Sequence, residues 1–172
     1  AWSIKSKHRY PTLVLNTLLG DGMSSRLFQN IREKYGFAYS VYSYATLMSD
    51  AGVFSAYIGT DRQHIETSTG LILKEFEKLR SKSVGTAEMN RTKAQLKGSM
   101  MLSLESIPNR MMRLGTSELY FQDVNPIDAI IKHIDGVSQD DVQAIAGELF
   151  REDRLTKVVI HPEGKNPTAT NP

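Results

Sequence analysis

The chain has no cysteine in its 172 residues. That excludes disulfides, a thiolate nucleophile and thiolate metal ligands. It leaves the compartment open, because a chain without thiols suits an oxidising or a reducing space. No apolar run approaches the roughly 20 residues of a membrane span, and no stretch reads as a secretory signal. Charge of one sign is also lacking. Twenty-one basic and 19 acidic residues leave a net charge of +2, too little to argue for nucleic acid or an anionic membrane as partner. The basic cluster Lys5–Arg9 is short and reads as a solvated helix start. There is no internal repeat and no strong linker. The chain begins with Ala1-Trp2 and no Met, which reads as a processed or excised piece of something longer.

What is present suffices for a sizeable core in one domain: 40% of residues are hydrophobic and 23% charged. Ala1 to Ile4 reads as the end of a strand that starts earlier. Pro11 suits a first helical turn, and Leu13, Leu15, Leu18 and Leu19 keep a helical rhythm up to Gly20. After the turn Gly20-Asp21-Gly22, Ser24 or Ser25 can cap a helix whose Leu27, Ile31 and Tyr35 share one face. Gly36 stops it. Phe37–Ala45 and Val53–Ile58 read as an antiparallel hairpin. Ile65, Thr69, Ile72, Phe76 and Leu79 form the apolar stripe of the next helix.

Thr86 can cap a long helix with Met89, Leu96 and Met100. Pro108 and Pro126 open two more. Ser138 and Asp141 resemble a capping box, ahead of inward-facing Val142, Ile145 and Leu149. Leu155–Ile160 reads as a last strand, and His161–Pro172 as a disordered tail. The paired methionines Met100-Met101 and Met111-Met112 read as core filler, with some able to face a partner domain. The expectation is α+β: one domain over residues 1–160, with an antiparallel or mixed sheet covered on one face by several helices.

The sharpest stretch is Leu19 to Ser43. It places Arg32, a permanent cation, and Tyr39, a phenol, on either side of the break at Gly36. Guanidinium offers five N–H donors in a fixed fork, and a phenol donates without carrying charge. Such a pair can hold carbonyl oxygens or favour a developing oxyanion. The plainer alternative is that Arg32 pairs with Glu33 or Glu66 and that Tyr39 is a half-buried strand aromatic. The glycine turn lacks the Lys-Ser/Thr of a phosphate loop and does not fit a dinucleotide fingerprint, so a tight turn is the simpler reading. Ser24 and Ser25 have no His or acid pattern for nucleophilic hydrolysis.

The residues Gly20, Gly22, Ser24, Ser25, Arg26, Leu27, Phe28, Ile31, Arg32, Glu33, Gly36, Ala38, Tyr39 and Ser43 resemble the second domain of a half in the pitrilysin/insulinase-type zinc metallopeptidases, the group that includes the mitochondrial processing peptidase. The similarity runs more weakly to about Phe150. It implies a substrate-binding, chamber-wall domain of a zinc-dependent endopeptidase, with Arg32 and Tyr39 holding the substrate backbone and the tetrahedral intermediate. A second possibility in the same family is a non-catalytic structural or regulatory domain. A zinc peptidase helix needs HExxH or HxxEH. His8, His64, His133 and His161 are dispersed and fit neither pattern. Zinc and the catalytic base are therefore expected in a partner domain absent from this chain. A peptide is the expected substrate, and this chain alone is expected to hold no cofactor and to be inactive.

Overall fold

The computed structural model describes residues 1–161. In chain order it has α1 (Arg9–Gly20), a π-helical segment (Phe28–Glu33), β1 (Ala38–Leu47), β2 (Gly52–Thr60), α2 (Ile65–Ser81), α3 (Thr86–Ser103), α4 (Ile107–Phe121), α5 (Ile127–Gly136) and α6 (Gln139–Leu149). The class is α+β, as the sequence pattern implies. β1 and β2 form an antiparallel hairpin in which Tyr42 faces Tyr57 and Leu47 faces Gly52. No helix among the described residues is long and apolar enough to cross a membrane.

α1 lies across the inner face of β1, with α3 and α6 beside it. Its Val14, Leu15, Leu18 and Leu19 are buried against Leu27, Ile31 and Val41. The helix can come so close because its last residue is Gly20. A Cβ there would stand 2.2 Å from the backbone nitrogen of Ser43. Ser43 also ties the strand to the helix, its hydroxyl lying 2.9 Å from Asn16 Oδ1. On the other side, α2 buries Ile72, Phe76 and Leu79. The Phe76 ring stacks on Phe150 at 4.1 Å, and Phe54 of β2 meets Phe150 edge-on at 5.4 Å. One phenylalanine thus joins β2, α2 and the end of α6. The capping box of α6 forms as read: Ser138 Oγ accepts from Asp141 N–H at 3.0 Å, and Asp141 Oδ2 accepts from Ser138 N–H at 2.8 Å.

Several expectations do not hold. Leu155–Ile160 is not a strand. A strand needs a neighbour for its N–H and C=O groups, and the sheet of the described residues has only β1 and β2. Val158 and Ile160 are 80% and 91% exposed. Ala1–Ile4 is not a ladder strand either; it is tethered to the hairpin tip, with Ile4 N–H donating to Met48 O at 2.8 Å. Neither Ser24 nor Ser25 caps a helix. Their hydroxyls donate instead to Gln95 Oε1 and Gly22 O. Gly85, not Thr86, precedes α3. Tyr35 leaves the face of Leu27 and Ile31, because the π-helical turn between them adds a residue and shifts the phase. Met101, near the end of α3, is exposed, and so are Met111 and Met112, since α4 buries none of its residues. Apart from His161, the tail read as disordered lies outside the described residues.

Two consequences can be checked. Gly20→Ala should destabilise the fold by roughly 1–3 kcal/mol, the range for overpacking a closed site. An unchanged urea midpoint would show that α1 and β1 are not in tight contact. Second, Arg26 and Glu88 form a two-pronged ion pair at 2.8 Å for both contacts. The hydrogen bond from Arg26 holds the Glu88 carboxyl below its ordinary value of 4.5. A depressed carboxyl stabilises the fold above the unfolded value, and that contribution is lost as pH falls through the folded one. Glu88→Gln should therefore be less stable than wild type at neutral pH. The gap should narrow as pH falls from the ordinary glutamate value through the depressed folded one; a gap independent of pH would refute the assignment.

Candidate functional site

The site is built from the segment that leaves α1 and enters β1. Side chains of α3 fix its beginning. Gln95 Nε2 donates to Asp21 O at 2.5 Å, and its Oε1 accepts from Ser24 Oγ at 2.5 Å. Gly22 has φ +90°, and a Cβ there would stand 2.5 Å from Gln95 Nε2. Both the turn and the clamp therefore require glycine at this position. Arg26, paired with Glu88, fixes the helix that follows.

Within that helix, Phe28–Glu33 is π-helical, and Lys34 N–H reaches back to Gln29 O. One extra residue in the turn rotates everything after it. Arg32 lies in this stretch and is exposed. Its guanidinium carbon stands 5.1 Å from the Phe28 ring centroid. Among the described residues it makes no ion pair. The alternative pairing with Glu66 fails for a plain reason: Glu66 binds Lys157 at 2.8 Å.

Gly36 has φ +67° and ends the helix. A second insertion follows. Ala38 faces Thr60 and Ser40 faces Gly59, so Tyr39 is the extra residue of a β-bulge. Val41 and Ser43 are buried at alternating positions. In an unbroken strand Tyr39 would join them under α1. The bulge turns it outward instead, to 71% exposure, so it is not the half-buried aromatic of the plainer reading. Its hydroxyl donates to Asp61 Oδ1 at 2.6 Å, which raises the phenol above its ordinary pKa of 10.0. Beyond Tyr39 the uncovered face of the hairpin continues as Tyr42, stacked on Tyr57 at 5.0 Å, and Tyr44.

Asp61 was not singled out by the sequence reading. It directly follows Thr60, the strand partner of Ala38, so its place beside Tyr39 emerges only with the hairpin register. His64 stands near the same carboxylate, Nδ1 to Oδ2 3.8 Å, with its ring stacked on Phe37 at 4.1 Å. Among the described residues no three His, Asp or Glu side chains gather as a metal-ligand set.

Comparison with known proteins agrees with this architecture. Residues 2–96 match the family described as the peptidase M16 inactive domain. The uncharacterized zinc protease YmxG of Bacillus subtilis is 38% identical over 159 residues, covering 92% of this chain and 39% of the relative. An uncharacterized zinc protease of Streptomyces coelicolor is 38% identical over 144 residues, covering 84% of this chain and 31% of the relative. The chain thus spans less than half the length of these relatives. Among solved structures, a peptidase M16 inactive domain from Pseudomonas fluorescens shares the fold with TM-score 0.76 at 23% identity, over 86% of this chain and 35% of that one. The resemblance carried by Leu19–Ser43 is thereby borne out: the chain belongs to the M16 peptidase family, as an inactive domain of a zinc-protease-like protein.

Proposed function

We propose that this domain forms a substrate-binding wall of a zinc-dependent endopeptidase, with Arg32 and Tyr39 as donors to the bound peptide. The observation that carries the reading is the state of the two side chains. Arg32 is an exposed cation free of carboxylate partners among the described residues, and Tyr39 is turned to solvent by a bulge. π-turns and bulges recur where a fold re-aims functional side chains, and here one lies on each side of Gly36.

A peptide backbone offers carbonyl oxygens. The fork of Arg32 can hold one or two of them in the ground state. The Tyr39 hydroxyl can donate to an oxygen that gains charge as the carbonyl carbon becomes tetrahedral. The open face with Tyr42, Tyr44 and Tyr57 gives the flanking side chains an aromatic surface to lie on. A zinc ion held in the partner domain would supply an activated water and a Lewis acid for the carbonyl that Arg32 and Tyr39 hold in place.

In the full-length protein, Arg32→Ala should raise KM, because it removes ground-state contacts. Arg32→Lys should restore only part of the loss, since an ammonium lacks the fork. Tyr39→Phe should lower kcat on the order of 10²-fold, the effect of one missing oxyanion donor. Unchanged kinetics in both Arg32→Ala and Tyr39→Phe would reject the reading. Separately, elemental analysis of this chain after dialysis should find no stoichiometric zinc. One tightly held zinc per chain would place the metal site in the wrong domain.

A further inference from the structure

The Tyr39 hydroxyl has one proton, and Asp61 holds it. The contact is short, 2.6 Å, as expected for a hydroxyl donating to a carboxylate. It is also favoured over the local alternative. Asp61 precedes the single helical turn Arg62–His64, where an aspartate ordinarily accepts from its own following backbone N–H groups. Here it makes no such cap bond, and its carboxylate reaches across the hairpin base to Tyr39. The geometry is built in. The Ala38–Thr60 pairing sets the two residues side by side, the bulge turns Tyr39 outward, and Thr60 Oγ1 fixes the base by donating to Phe37 O at 2.5 Å.

We propose that Asp61 is a positioning residue that acts as a competing acceptor: it withholds the Tyr39 hydroxyl from neutral carbonyls and yields it only to a charged oxygen. The inference rests on the reading of Tyr39 as a peptide-facing donor. A neutral carbonyl is a weaker acceptor than a carboxylate and does not displace one. An oxyanion matches it. The phenol therefore contributes little to binding the ground state and much to binding charge as it develops. Such differential binding raises kcat rather than merely lowering KM. No proton changes owner; one hydrogen bond is exchanged for another.

The test uses the full-length protein stripped of zinc with EDTA, so that binding is read without turnover. The probe is an unlabelled nonapeptide with neutral side chains and blocked ends, which offers carbonyls and no carboxylate, and its binding is read by isothermal titration calorimetry. Asp61→Ala should bind it roughly two- to tenfold more tightly than wild type, the worth of one released hydrogen bond. Asp61→Asn should fall between them. Adding Tyr39→Phe to Asp61→Ala should abolish the gain. In a ¹³C-tyrosine titration, Asp61→Asn should move Tyr39 toward the ordinary phenol range, which a change of packing alone would not do.

An unmoved titration would show that the bond does not exist in solution and would overturn the proposal. So would equal or weaker binding by Asp61→Ala, or a gain that persists without the Tyr39 hydroxyl. If Arg32→Ala still weakens the probe in any of those cases, the peptide-binding reading stands and only the role of Asp61 falls. If no variant binds the probe, both fall.

Discussion

The close approach of α1 to β1 at Gly20 and Ser43 is the constraint on which the rest of the site depends. There is no room for a Cβ at that point. The contact ties together the two ends of the stretch that contains Arg32, Tyr39 and Tyr42. Apolar burial on both sides of it supplies the driving force: Leu15, Leu19, Leu27 and Ile31 are all fully buried. Inside the closed stretch the backbone has few ways to run. Gln95 and Glu88 of α3 remove most of the remaining freedom by holding the turn and the first helical residues.

Within that frame the fold makes two local departures from regular geometry. A helix with ideal phase would carry Tyr35 round to the buried face of Ile31. A strand with ideal alternation would bury Tyr39 beneath α1. The π-turn and the bulge each add one residue, and each turns an aromatic outward. Both departures weaken local hydrogen bonding, and both lie within a few residues of Gly36. The surrounding core is well enough packed to tolerate them, and both distortions stay near the base of the hairpin.

Much of the fold was legible from periodicity and punctuation. Gly36 announced a helix stop, and Ser138 with Asp141 a capping box, because each follows from a residue's own conformational preference or hydrogen-bonding capacity. Leu155–Ile160 misled for a related reason. Its β-branched composition gives a preference for extended backbone, but extended backbone becomes a strand only beside a partner. In the site, Arg32 and Tyr39 were visible because motif and spacing carry them. The π-turn was not visible, since no residue type signals it. The pairing of Tyr39 with Asp61 spans 22 positions and depends on hairpin register, which a bulge shifts by one.

The central claim is that one peptide meets both Arg32 and Tyr39. A crystal structure of the full-length protein with a phosphinic peptide, whose tetrahedral phosphinate mimics the hydrolytic intermediate, tests it most directly. The account predicts the Arg32 guanidinium on the peptide backbone. It also predicts the Tyr39 hydroxyl released from Asp61 and within hydrogen-bonding distance of a phosphinate oxygen. A bound inhibitor that touches neither side chain, with Tyr39 still on Asp61, would contradict it.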